Sequence, residues 1–209
     1  QLVPRFVYRG ISDYNIAELE QEGFIYPTFV SPVPKSGKYD KKLRDKFAKE
    51  TSTTGSGIGD NKIKATKEML HVEGKKPSDF LSTTLEEEGT VNPEGKPFGT
   101  SRYRIDLSFI DPAFIAHLST AKGISYYMLG NYEKKEKSDP DKSELISKAK
   151  AFSKRQVQEK GKKDAFGAKN AAEEYPTLSA KEWQALMDVV RTSEVLVNAK
   201  IPKEALEPA

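Results

Sequence analysis

Apolar and polar residues alternate along three stretches of this chain and recur at helical spacing along others, and that pattern sets out its elements. From Val3 to Arg9 the residues are β-formers, with Phe6 and Tyr8 on one face, Val7 and Arg9 on the other, and Gly10 ending the strand. Ser12 then caps a short helix carrying Ile16 and Leu19, which Gly23 closes. Phe24 to Pro34 is proline-punctuated and reads as irregular chain or edge strand. A charged helix over Asp40–Glu50, a glycine-bearing breaker stretch over Thr51–Asp60, a helix over Asn61–Leu70 and a strand entry over Ser78–Thr84 follow. The clearest alternation is Arg102–Ile110, where Tyr103, Ile105, Leu107 and Phe109 share one face against Arg102, Arg104, Asp106 and Ser108. Glu133 to Lys163 reads as polar, lysine-rich helix, broken near its start by Asp139-Pro140. Ser179 caps a helix with Trp183, Leu186, Met187 and Val190 on one stripe. A last strand then puts Val195, Val197, Ala199 and Ile201 on one face and Glu194 on the other, and Pro202 ends it. With no internal repeat and no linker, the pattern predicts one α+β domain over 1–209, with a basic helical insertion at about 131–178.

Composition narrows the chemistry more than the architecture. The chain has 209 residues, ample for a real core, and no cysteine, which excludes a disulfide scaffold, thiolate zinc sites and cysteine nucleophiles. The two histidines, His71 and His117, are far apart in sequence, so no metal site is expected, and His117 reads as a packing residue. Apolar runs are only a few residues long, so no membrane-spanning helix is expected. The first residue is not methionine and a strand begins almost at once, which suggests a domain cut from a longer polypeptide or a processed chain. The net charge of +3 hides an asymmetry: Glu133–Lys163 holds eleven basic and six acidic residues, so that stretch carries +5 and the remainder −2.

Several local motifs lead nowhere. Gly55-Ser56-Gly57-Ile58-Gly59 matches neither the dinucleotide fingerprint nor a P-loop and reads as a loop. Asp139 to Lys150 begins like a calcium loop, but Glu144 and Lys150 stand where glycine and glutamate are needed. There is no G-x-S-x-G elbow. The lysine-rich stretch could form a phosphate-binding stripe for nucleic acid, yet its interspersed acids and few aromatics favour a solvated helix face.

Three segments, in order, carry more. They are Phe6-Val7-Tyr8-Arg9-Gly10, an aromatic strand ending in arginine; Phe80-Leu81-Ser82-Thr83-Thr84; and Ser193-Glu194-Val195-Leu196-Val197, a glutamate opening a late apolar strand. Together they resemble the arginine–serine–glutamate class of mono-ADP-ribosyltransferases, whose serine-threonine-serine strand would here end in threonine. The helix running to Gly23-Phe24 and the strand Tyr103-Arg104-Ile105-Asp106 are similar to the pertussis-like and pierisin-like branch of these toxins. The likeness spans Phe6 to Leu206, except the basic region from about 131 to 178.

The resemblance implies an ADP-ribosyltransferase-like split β-sandwich: two antiparallel sheets packed at a steep angle, with helices around them and NAD in the cleft. It implies Glu194 as the catalytic carboxylate, Arg9 as the fork for the NAD pyrophosphate and Ser82 as the residue orienting Glu194. Gly10, Thr83 and Thr84 join Arg9 and Ser82 around NAD, although on an alternating strand Thr83 points away from Ser82 and Thr84. The chemistry suits these residue types. Breaking the nicotinamide–ribose bond develops positive charge that a carboxylate stabilises, and a permanently charged planar fork matches a pyrophosphate.

Thr192 stands two residues before Glu194, where arginine-modifying members carry glutamate. A hydroxyl is no strong base at neutral pH, so an acceptor other than arginine is expected, in a protein or a nucleic acid. Glu173 and Glu174 are the alternative carboxylates, but Tyr175-Pro176 does not open a strand after them. The resemblance further implies NAD as co-substrate without a metal, a monomer secreted or delivered into a target cell's cytoplasm, and an immunity or carrier protein among its partners. Water as acceptor would make the same site an NAD glycohydrolase.

Overall fold

A computed structural model describes residues 3–27, 31–32, 66–73, 80–92 and 94–209. The charged helix expected over Asp40–Glu50, the breaker stretch Thr51–Asp60 with its glycine loop and the start of the helix at Asn61 lie outside the described residues. The protein is α+β with two antiparallel sheets. Its chain divides into two compact units, one drawn from Gln1–Asp45, Pro77–His117 and Thr192–Ala209, the other from Lys46–Lys76 and Leu118–Arg191.

The first unit holds all the strands among the described residues. β1 (Phe6–Ile11) starts three residues after the expected Val3 and runs through the expected stop at Gly10 to Ile11. It leads into α1 (Asp13–Glu22), which has the predicted limits: Ser12 accepts from the Asn15 amide in a capping box, and Gly23 closes the helix at φ 74, where a Cβ would be strained. β2 (Phe24–Ile25), β3 (Leu81–Thr84), β4 (Ser101–Asp106), β5 (Ile115–His117), β6 (Glu194–Val197), β7 (Ile201–Pro202) and β8 (Leu206–Pro208) complete the set. Six strands form one sheet in the order β5-β6-β3-β1-β4-β8, and β2 pairs with β7 in the other. Val7, Ile11, Ile25, Leu81, Ile105, Val195, Val197 and Ile201 share one core, with Ile16 and Leu19 of α1 against it. All four residues of β6 are buried, as expected of an interior strand.

Two expectations fail here for identifiable reasons. The strand from Arg102 stops at Asp106, whose carboxylate caps the Ser108 amide at 3.0 Å and turns the chain into a 3₁₀ helix over Leu107–Phe109. Leu107 stays buried, but Phe109 is 53 % exposed. The single strand read from Val195 to Ile201 is two strands in different sheets: Val197 pairs with Ile115 of β5, and the Asn198 amide extends that ladder to the Phe114 carbonyl at 2.8 Å, whereas Ile201 pairs with Ile25 of β2.

The second unit is helical among its described residues. It contains α2 (Lys67–Val72), a π-helical turn over Ile124–Met128, α3 (Lys142–Gln158), α4 (Ala168–Glu174) and α5, which starts at Ala180 and runs out of this unit to Thr192. α5 opens on the predicted cap: the Ser179 hydroxyl accepts from the Glu182 amide at 3.1 Å, and the Glu182 carboxylate accepts from the Ser179 amide at 2.9 Å. The lysine-rich helix begins at Lys142 and not Glu133, since Asp141 caps it and Asp139 holds the amides of Lys135 and Glu136 in a turn. Nor is α3 polar all round. Leu145, Ala149 and Phe152 are buried, and Phe152 packs edge-on to Trp183 at 5.3 Å between ring centres.

Gly10 shows how tightly the first unit is built. A Cβ there would stand 1.4 Å from the Phe98 carbonyl oxygen, a backbone atom that cannot swing aside. Gly10→Ala is expected to cost about 1–3 kcal/mol and to lower Tm by about 2–4 °C for each of them, read by thermal unfolding.

Candidate functional site

β1, β3 and β6 are neighbours, so the three motif segments of the sequence lie side by side. Tyr8 is opposite Thr84, and Thr84 is opposite Glu194. Cross-strand partners share a face, so Tyr8, Thr84 and Glu194 form one row, with Ser82 on the same face two residues along β3. Thr84 and Glu194 are each 8 % exposed, and the Thr84 hydroxyl donates to the Glu86 carbonyl at 2.8 Å. Thr83 points the other way, as its position in the alternation requires. It is 1 % exposed and its hydroxyl donates to the Val195 carbonyl at 2.7 Å, so its side chain serves the β3–β6 pairing.

Arg9 leaves β1 on the core face, between Val7 and Ile11, and its guanidinium reaches β3 by donating from Nη1 to the Ser82 carbonyl at 2.8 Å. That is its one hydrogen bond among the described residues, and its Nε–H is buried with no acceptor among them. Burial pulls the guanidinium down to about 10, against the opposing pull of Glu18 and then Glu194. At neutral pH the group is therefore still a cation, with the negative charges of Glu18 and Glu194 favouring that form.

Glu18 is the member of this group that reading the sequence for function missed. It is 0 % exposed on α1, accepting from Asn15 Nδ2 at 2.9 Å, the Tyr26 amide at 3.3 Å and the Ser31 hydroxyl at 2.7 Å. A faint signal exists: Ile16 and Leu19 put the neighbouring positions of this helix on the core side, where an acid needs a reason.

The corner before Glu194 is tightly defined. α5 ends at Thr192, and Ser193 turns the chain into β6 at φ 50, an uncommon conformation for a residue with a Cβ. The Ser193 carbonyl accepts from the Leu85 amide at 3.1 Å, fastening this corner to the end of β3. A Cβ on Gly89 would lie 2.7 Å from both the Thr192 carbonyl oxygen and the Thr84 Cβ, so only glycine lets the 85–90 segment close on the corner. Thr192 itself is 7 % exposed and shapes the corner from within. Glu173 and Glu174, the alternative carboxylates, are exposed at the end of α4 in the other unit. Among the described residues no group of three or more histidine, aspartate or glutamate side chains could hold a metal ion.

Chemically, the first unit presents a buried carboxylate at a strand end, hydroxyls of Ser82 and Thr84 on the same face, and a cation with an unfilled buried donor. Such a set can hold an anion and stabilise positive charge beside it. The strained corner is testable by itself. Ser193→Val is expected to destabilise the protein by about 1–2 kcal/mol, because a β-branched residue tolerates a left-handed backbone poorly, while Ser193→Gly is expected to be neutral or stabilising; urea unfolding checks both. Comparison with known proteins adds no name to this geometry: no family model, no curated protein and no solved structure matches the chain.

Proposed function

We propose that the protein is a mono-ADP-ribosyltransferase that transfers ADP-ribose from NAD to a macromolecule and releases nicotinamide. The observation that carries this reading is the adjacency of β1, β3 and β6, which puts Ser82 and Glu194 on one face of neighbouring strands and brings Arg9, from the opposite face of β1, to the Ser82 carbonyl 73 residues away. The two-sheet α+β unit is compatible with the split β-sandwich of that class, which is proposed with the function. NAD fits the residues present on one particular point: Arg9 keeps a buried Nε–H without an acceptor among the described residues, as a fork awaiting an anion would.

In this reading NAD supplies a glycosidic bond whose cleavage leaves positive charge on the ribose. Glu194, held at the mouth of β6 with little exposure, places its carboxylate against that charge, where low local dielectric strengthens it. Ser82 shares its face and orients it, while Thr84, whose hydroxyl is given to the Glu86 carbonyl, stands opposite it in the ladder. Arg9 binds the pyrophosphate as a planar cation that stays charged at neutral pH. Thr192 supplies no base, so the acceptor is a group other than arginine, in a protein or a nucleic acid. Action as a toxin delivered into a target cell belongs to the same proposal.

Glu194→Gln keeps size and removes the charge. It is expected to lower nicotinamide release by on the order of 100-fold or more, with near-ultraviolet circular dichroism unchanged. Wild-type turnover in that variant overturns the assignment. Labelled NAD in whole-cell lysate decides the acceptor: label retained on macromolecules means transfer, and free ADP-ribose alone replaces the transferase by a glycohydrolase.

A further inference from the structure

We infer that Glu18 is the positioning residue for Arg9: a buried counter-charge on α1 that holds the guanidinium against β3 while leaving its donors for an anionic ligand. Arg9 projects from the face of β1 that also carries Val7 and Ile11, and α1 packs Ile16 and Leu19 against that same core. Glu18 precedes Leu19 on this helix and is 0 % exposed, so its carboxylate lies inside the layer into which Arg9 projects. It is also fixed there. Both of its oxygens accept hydrogen bonds, from Asn15 Nδ2, the Tyr26 amide and the Ser31 hydroxyl, and Asn15 in turn belongs to the α1 capping box.

The consequence for Arg9 lies in what Glu18 does not do. A carboxylate in contact with a guanidinium fills two of its donors with a bidentate pair. Arg9 instead makes one hydrogen bond among the described residues, to the Ser82 carbonyl, and keeps Nε–H open. Glu18 spends its acceptors on neutral donors and acts on Arg9 through charge, a leading part of what offsets the burial of the cation. The part of this inference that concerns a ligand rests on the functional reading above, with a pyrophosphate as the anion. The placement of Arg9 by Glu18 stands apart from it.

Two readouts separate these parts. Nitrogen-15 NMR of arginine side chains is expected to show a slowly exchanging Nε–H that disappears in Arg9→Lys. In Glu18→Gln its exchange should quicken about tenfold or more, and in Glu18→Asp, which keeps the charge, by less. For NAD turnover, Glu18→Gln should raise KM about tenfold with kcat within about threefold, and should add little in an Arg9→Lys background, since residues acting as one unit are not additive. Unchanged exchange in a folded Glu18→Gln protein, or an equal loss in both backgrounds, overturns the inference. Should Glu18→Gln fail to fold, Ser31→Ala removes the shorter of the two hydrogen bonds to Glu18 Oε2 and should move exchange and KM in the same direction; no movement overturns it too. A wild-type protein that neither binds nor turns over NAD overturns the functional reading alone, and the exchange measurement still decides the role of Glu18.

Discussion

A permanent cation inside a protein has to be compensated where it stands, and in this chain that requirement falls on Arg9. Its side chain is half-buried with Nε enclosed, and burial brings it down to about 10, which leaves it charged at neutral pH. The compensation comes from Glu18 of α1, Glu194 of β6 and the Ser82 carbonyl of β3. One side chain on β1 thus ties together a helix that follows it immediately and two strands from far along the sequence. Removing either carboxylate leaves a part-buried charge less well matched.

The neighbourhood of Glu194 is arranged around the same need for close approach. Three backbone positions allow it: Gly10 lets the Phe98 carbonyl reach β1, Gly89 lets the segment after β3 close on Thr192, and Ser193 takes a left-handed turn so that β6 starts on the residue after it. None of these is a chemical group of the site. Each decides where a chemical group sits, and each is a place where an added methyl or a β-branched side chain would force backbone to move. Gly10, which the family likeness assigns to NAD, has a sufficient reason in packing alone.

Much of this was legible in the sequence where the signal is local. Ser12 and Gly23 gave α1 its limits because a cap and a left-handed stop are properties of single residues. Alternation placed Glu194 opposite Val195 and Val197 and set Thr83 apart from Ser82 and Thr84, as the ladders require. Boundaries failed where a contact outside the local pattern takes over the chain. Asp106 captures the Ser108 amide and ends a strand whose pattern runs on to Ile110, and pairing of Ile201 with Ile25 in the second sheet divides another. The order of strands was not legible, since it follows from long-range pairing that no local window contains. Glu18 was passed over for a different reason: glutamate is a good helix former and mostly exposed, so an acid on a short polar helix reads as surface until the buried arginine facing it is known.

Charge along the chain makes a similar distinction between inventory and placement. The excess of lysine between Glu133 and Lys163 sits on α3 and its flanks, a helix that buries Leu145, Ala149 and Phe152 and is therefore a working part of the second unit's core. A solvated stripe of lysines needs no further purpose on such a helix, because long cationic side chains keep its outer face in water while their stems cover apolar surface. The cations on the described surface that do find carboxylates include several arginines: Arg5 with Asp106, Arg102 with Glu87 and Arg155 with Glu159. Those exposed pairs are worth little each. Arg9 is different in kind, since it is drawn into the protein, restrained by charge and left with a donor to give. A count of charges would rank it among 34 basic residues; its enclosed Nε–H and its bond to the Ser82 carbonyl give it a defined place in the sheet.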